Sequence, residues 1–246
     1  MTIGKLRSWV FTIPLEWAVT AVMITLAVVT SVVAPAGRWQ RFLYRLWARM
    51  VLGIAGARVR VHHAGRLDPD ANYVVAANHL SLMDTPLMLW SLPLEFKFLA
   101  KRELLKTPFI GWYLKRGGHL TVDRKSLRSS LESMNESARL IRERRLSVLI
   151  FPEGTRGLGE VQPFKDGAAY LAIQSGVAAV PVAIHGTEDV LAAKQSEFRT
   201  ADVDVMIGEP IPVDGMTLKD RGRLTADLHA RVSQMLAESK ARRAIQ

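Results

Sequence analysis

From Trp17 to Gly37 the chain carries no charged residue and runs through Val, Ala, Leu, Ile and Met, broken by Thr and Ser alone among polar types. About 20 such residues suffice for a helix to cross the hydrocarbon of a bilayer, so the run predicts a membrane-contacting helix. A cleaved leader competes with this reading, because Lys5 and Arg7 come first and Ala34-Pro35-Ala36 resembles a cleavage site. Leaders have shorter apolar regions, however, and this one opens with Pro14 and Glu16. Next, Arg38, Arg41, Arg45 and Arg49 recur at steps of three, four and four, which gathers four guanidinium groups on one helical face. Trp39, Phe42, Leu43, Leu46, Trp47 and Met50 gather opposite. Such a helix either lies in the headgroup layer with its cations toward lipid phosphate or packs as an ordinary amphipathic helix on a globular domain. Residues 1–50 are thus expected to form an N-terminal membrane-anchoring helical pair, with Trp17, Arg38, Trp39, Arg41, Arg45, Trp47 and Arg49 as its membrane contacts. The arginine excess after the run places the rest of the chain on the cytoplasmic face of the inner membrane.

Past residue 50 the pattern changes to short apolar runs between helical stretches. Tyr73–Ala77, Leu94–Ala100, Ser147–Phe151, Val180–Ile184 and Val203–Ile207 read as strands, with Phe96 and Phe98 on one face and Lys97 on the other. Helical periodicity follows Asp84, covers Ser126 to Arg145 and Phe164 to Gln174, and returns from about Leu218 to Lys240. Arg58 to His63 alternates like an exposed strand, and its adjacent histidines point to opposite faces, which argues against a shared metal site. An open α/β arrangement over residues 51–246 is expected, and such sheets bind ligands beyond the carboxyl ends of their strands.

With 246 residues and 27.4 kDa there is room for one substantial core. The 33 Lys and Arg against 23 Asp and Glu, a formal charge of +10, call for an anionic partner: a membrane, a phosphorylated small molecule or nucleic acid. The absence of cysteine excludes disulfides, thiolate metal sites and thiol catalysis.

Three stretches bear chemistry. Asn78-His79-Leu80-Ser81-Leu82-Met83-Asp84 follows the apolar strand Tyr73–Ala77. On a regular helix residues five apart diverge by about 140°, so His79 must sit at or before the first turn for Asp84 to fold back onto its ring. The carboxylate would then fix one ring nitrogen and leave the other as a base; a loop aspartate capping the next helix explains the same spacing. Ser81 is too close in the chain to meet the ring, so a hydroxyl brought by the substrate is the simplest nucleophile. Gly117 to Arg124 reads as a turn, a short strand and an arginine at its end, placed to clamp a phosphate or simply to form a solvated basic patch with Lys125 and Arg128. Phe151-Pro152-Glu153-Gly154-Thr155-Arg156 stands at another strand end, with a glycine permitting close backbone approach, a second cation, and a glutamate able to hold a hydroxyl or orient an arginine. A bare turn has the same composition.

These blocks, with Val180-Pro181-Val182 as a fourth, resemble in content and order the glycerolipid acyltransferase family of 1-acyl-sn-glycerol-3-phosphate acyltransferases. The resemblance covers about residues 50–190. It implies a central, mostly parallel sheet flanked by helices, and transfer of a fatty acyl group from a thioester to the free hydroxyl of lysophosphatidic acid, giving phosphatidic acid. It implies His79 as general base, Asp84 as its orienting acid, and a glycerol phosphate site formed by Arg124, Glu153, Gly154, Thr155 and Arg156, with Lys97 and Lys101 lining the same basic pocket. The donor is acyl-CoA or acyl carrier protein, no metal or other cofactor is implied, and the helical pair agrees with members whose N-terminal helices sink into one leaflet. Glycerol-3-phosphate or a lyso-aminolipid as acceptor, hydrolysis of the thioester, and a non-catalytic peripheral membrane protein stay open as alternatives. Nucleic acid binding is disfavoured by the apolar N-terminus.

Overall fold

The computed structural model describes residues 2–33, 38–107, 110–123, 125–157 and 160–244. Nine helices and seven strands are labelled among them. In chain order these are α1 (Ile3–Arg7), α2 (Ile13–Val33), α3 (Arg38–Ala55), β1 (Ala57–His62), β2 (Val74–Ala77), α4 (Asp84–Ser91), β3 (Phe96–Lys101), α5 (Ile110–Arg116), β4 (Leu120–Val122), α6 (Leu127–Arg144), β5 (Ser147–Ile150), α7 (Gly167–Ser175), β6 (Ala179–His185), α8 (Thr187–Val190), β7 (Ala201–Ile207) and α9 (Arg221–Ala244).

The strands form a single sheet in the order β1-β7-β6-β2-β5-β3-β4. β6 and β7 pair antiparallel, and every other pairing among the described residues is parallel. Parallel strands are covered by helices on both faces and so read as continuous apolar runs, which is why Val74, Val75, Ala76 and Ala77 are all fully buried. Val75 and Ala77 face a core shared with α3 and α4 through Leu52, Ala55, Leu87 and Met88. Val74 and Ala76 face the opposite core, closed by α6, α7 and α9 through Ile141, Leu171, Leu224 and Leu228.

The N-terminal helices form a hairpin attached to this domain at both ends. Arg7 donates to the Phe198 carbonyl at 2.7 Å, and the Ser8 hydroxyl accepts from the Phe198 amide at 2.9 Å. Between α1 and α2 the chain takes a wider π turn over Ser8–Thr12. Pro14 explains it: lacking an N–H and crowding the carbonyl one turn back, proline disrupts the regular ladder. α3 then returns along α2, with the Gln40 amide donating to Ala27 O at 3.3 Å and the Trp47 indole to Thr20 Oγ1 at 3.1 Å. The boundary expected at residue 50 falls inside α3, whose last turns place Val51, Leu52 and Ala55 in the domain core.

Residues Ile3–Thr30 make one helical stretch long and apolar enough to cross a membrane by length and composition, with 17% of its most apolar window buried. Trp9, Phe11, Trp17, Val22 and Val29 stand exposed along it, joined by Trp39 and Phe42 from α3.

Arginines of α3 also have partners in the α/β domain. Arg41 pairs with Glu95 at 3.1 Å, while Arg45 donates to the Trp90 carbonyl at 2.9 Å. Arg45 and Arg49 lie over the Trp90 ring, at 6.0 and 5.5 Å. Arg45 and Arg49 thus meet the end of α4, where the last carbonyls of a helix attract cations and the Trp90 ring adds a cation–π surface, while Arg41 and Arg49 keep exposed side chains. Trp47 points inward, whereas Trp17 and Trp39 are 68% and 65% exposed. Arg38 opens α3, and its side chain lies outside those described.

Candidate active site

β2 ends at Ala77, and the next residues turn across the carboxyl edge of the sheet before α4 begins at Asp84. Asn78 locks this exit. Its buried side chain donates to Ile184 O at 2.9 Å and accepts from Ile184 N at 2.7 Å, completing the neighbouring strand β6 where the ladder ends. Asn78→Ala is expected to lower unfolding free energy by about 2–4 kcal/mol, since two buried backbone groups lose their partners; denaturant midpoints of the purified variants read this directly.

His79 comes next, with its ring Nδ1 at 2.7 Å from Asp84 Oδ2. The same carboxylate oxygen accepts from Leu80 N at 2.7 Å and Ser81 N at 2.9 Å, while Oδ1 accepts from Thr187 Oγ1 at 2.6 Å. Asp84 thus bonds both the turn into α4 and the imidazole. With donors converging on both oxygens the carboxylate is an acceptor throughout, which assigns the ring proton to Nδ1 and a lone pair to Nε2. Nε2 makes no hydrogen bond among the described residues, and the side chain is 19% exposed. The Phe151 ring stacks on the imidazole at 4.2 Å between centroids and 14° between planes, which fixes the tilt of the ring. Ser81 is no rival nucleophile, since its buried hydroxyl donates to Leu191 O at 2.6 Å.

The loop after β5 grips the same histidine from the other side. Glu153 Oε1 accepts from His79 N at 2.7 Å and Oε2 from Gln162 N at 3.1 Å, while Gly157 N donates to His79 O at 2.7 Å. Glu153 is 4% exposed. Burial pushes its carboxyl above the usual range, and the two backbone N–H groups pull the other way. Expected as a ligand of substrate, Glu153 braces the two motif loops, each of its oxygens accepting from a backbone N–H. Gly154 has φ of +77°, a conformation that favours glycine, and it turns the chain so that Glu153 points in while Thr155 and Arg156 stand exposed.

The basic residues divide. Lys101 ends β3 opposite Val122 of β4, at the edge where β4 leads to Asp123. Asp123 accepts from Lys125 N at 3.0 Å and Arg102 Nη1 at 3.3 Å, which orders the turn on either side of position 124. Arg124 itself lies outside the described residues. Lys97 lies deeper in the sheet. It shares a row of the sheet with Val148 and Val74, the first residue of β2, whereas His79 follows the strand's last residue, Ala77. There it lines a cavity of about 120 Å³ between α3, α5 and the start of β3, with Tyr113, Glu95 and His119. His119 is held neutral, its pKa lowered to about 3 by burial and then by Lys97, while its Nδ1 accepts from Phe98 N at 2.9 Å.

Two contributors escape a reading of the sequence. Phe151 is legible there as strand but not as a ring platform. Thr187 sits just past the end of β6, where the strand-end rule points, yet no spacing singles it out.

The chain is similar to known acyltransferases in sequence and in fold. The chain is 34% identical over 179 residues to the 1-acyl-sn-glycerol-3-phosphate acyltransferase alpha of Homo sapiens, covering 72% of this chain and 63% of that protein. It is 31% identical over 188 residues to the 1-acyl-sn-glycerol-3-phosphate acyltransferase of Limnanthes alba, covering 74% of this chain and 66% of that one. The chain thus spans a little under two thirds of these relatives. The crystal structure of the 1-acyl-sn-glycerophosphate (LPA) acyltransferase PlsC from Thermotoga maritima superposes with a TM-score of 0.81 at 25% identity, covering 97% of this chain and 98% of that one. A sequence model of the Acyltransferase family matches residues 58–185, just over half of the chain and the stretch that holds both motif loops, and the protein belongs to that family.

Proposed function

We propose that the protein transfers a fatty acyl group from a thioester, acyl-CoA or acyl carrier protein, to the sn-2 hydroxyl of lysophosphatidic acid, forming phosphatidic acid. One observation carries this reading: His79 is held by Asp84 at 2.7 Å and its Nε2 makes no hydrogen bond among the described residues, while no cysteine exists and the Ser81 hydroxyl is bonded elsewhere. A base without a protein nucleophile serves a hydroxyl that arrives with the substrate. Nε2 takes the proton of the acceptor hydroxyl as its oxygen forms a bond to the thioester carbonyl carbon. The C–S bond then breaks, and the leaving thiolate takes the proton back from Nε2. Asp84 stabilises the imidazolium between these two steps.

Arg124 and Arg156, with Lys101, Gly154 and Thr155, hold the acceptor phosphate in this scheme. Guanidinium forks suit a phosphate group bidentately. The expected result of Arg124→Ala or Arg156→Ala is a rise of about tenfold or more in KM for the phosphorylated acceptor, with kcat near wild type. An unchanged KM with kcat alone reduced would argue against a ground-state phosphate clamp. Competition between lysophosphatidic acid, glycerol-3-phosphate and a lyso-aminolipid tests the acceptor itself: the account expects lysophosphatidic acid to be used in preference, and preference for either rival contradicts it.

The exposed aromatics of α2 and α3 support a hairpin set into one leaflet, and the excess of arginine after the apolar run supports the cytoplasmic side. Both ends of the hairpin are fixed to the α/β domain, so a complete crossing by α2 would carry α3 and its arginines back through hydrocarbon, at a cost of about 2.5–3.5 kcal/mol for a central arginine. A shallow seat keeps Trp17 and Trp39 at the interface and brings the site to a lipid acceptor in place.

A further inference from the structure

The catalytic turn is shaped by a segment remote in the chain. Residues 184–191 bind it at three points: Ile184 through Asn78, Thr187 through Asp84, and Leu191 through Ser81. Thr187 is fully buried, as is Asp84. Its position is tightly set, since Gly186 before it has φ of +92° and an added Cβ there would collide with Asp202 O. Arg243 of α9 ties the same place down, donating to His185 O at 3.3 Å and Asp202 O at 2.6 Å.

We propose that Thr187 is a positioning residue for the catalytic pair, its hydroxyl holding Asp84 Oδ1 so that Oδ2 is aimed at His79 Nδ1; this rests on the general-base reading of His79. Asp84 can rotate about its terminal torsion, and the backbone donors Leu80 and Ser81 engage Oδ2 alone. Thr187 is the partner of the other oxygen, so it sets the plane of the carboxylate and shares its charge.

Thr187→Val keeps the shape and removes the donor. It is expected to lower kcat about 10- to 30-fold, with KM for donor and acceptor within about twofold of wild type. The carboxylate, no longer sharing its charge with the hydroxyl, favours the imidazolium more strongly. His79 then keeps its proton to higher pH, and the acid limb of kcat/KM moves up by about half a unit. Glu153 from the loop after β5 and Glu188 from α8 also face the pair, and burial raises both. Neither is changed in the variant, so the shift reports Thr187. Thr187→Ser should restore kcat to within about threefold. Val190→Ala, a buried change in the same short helix, separates a structural effect: it should lower the thermal midpoint and leave the acid limb in place.

Nitrogen NMR of the His79 ring in detergent micelles follows the same titration without turnover. It remains decisive even if the wild-type chain proves inert toward lysophosphatidic acid, an outcome that would remove the acyl-transfer reading alone. An upward shift of the ring titration in Thr187→Val, reversed in Thr187→Ser, supports the proposal. An unmoved titration in Thr187→Val, or a loss of activity that Val190→Ala reproduces with the same pH profile, overturns it.

Discussion

Replacing His79 by alanine is expected to reduce acyl transfer by about 10³-fold while leaving the protein folded and membrane-bound. The size follows from the role: a positioned general base contributes about 10²–10⁴-fold, and with no cysteine and Ser81 bonded to Leu191 O the described site holds no obvious substitute. Stability should change little, because the ring is partly exposed and its backbone bonds to Glu153 and Gly157 persist without the side chain. Asp84 would lose one donor and retain Leu80 N, Ser81 N and Thr187 Oγ1. Turnover of the purified variant, with sedimentation on vesicles as the membrane readout, checks both parts. Wild-type-like acylation would refute the general-base role.

Glu153→Ala is expected to act on architecture and rate together. It leaves the His79 and Gln162 amides without acceptors next to a buried void, and each unsatisfied buried group costs about 1–3 kcal/mol. A loss of about 3 kcal/mol in unfolding free energy is expected, with kcat down about 10²-fold as the His79 backbone drifts. Small displacements of a catalytic group carry costs of that order. KM for the acceptor should move less than about threefold, since the carboxylate points at backbone. Glu153→Gln, which retains one acceptor oxygen but turns an amide N–H₂ toward the second donor, should fall between. A tenfold rise in KM with unchanged stability would instead make Glu153 a direct ligand of the acceptor.

The alternation of apolar strands with helices shows the α/β class because a parallel sheet covered on both faces leaves nearly no polar position in its central strands, as Val74–Ala77 illustrate. The His79–Asp84 pair is legible for a related reason: polar groups at the abrupt end of such a strand stand out. Whatever depends on register and distant packing is not. Periodicity shows that Arg41, Arg45 and Arg49 share a face, but not that the face meets Glu95 and Trp90. Lys97 and Lys101 look alike along one strand, and only the register shows that Lys97 shares a row with Val148 and Val74 while Lys101 lies at the strand's end. A glutamate in a Pro-Glu-Gly turn reads as a ligand until its burial against the His79 amide is seen. Thr187 stands 103 residues from Asp84, a separation that local patterning cannot bridge.

In the proposed reaction an acceptor hydroxyl, activated at His79 Nε2, attacks the thioester. The most direct measurement supplies a carbonyl-labelled acyl thioester to the detergent-extracted protein with and without lysophosphatidic acid. The account predicts label in phosphatidic acid when the acceptor is present and negligible thioester loss without it; label released as free fatty acid at the same rate in both conditions would contradict it.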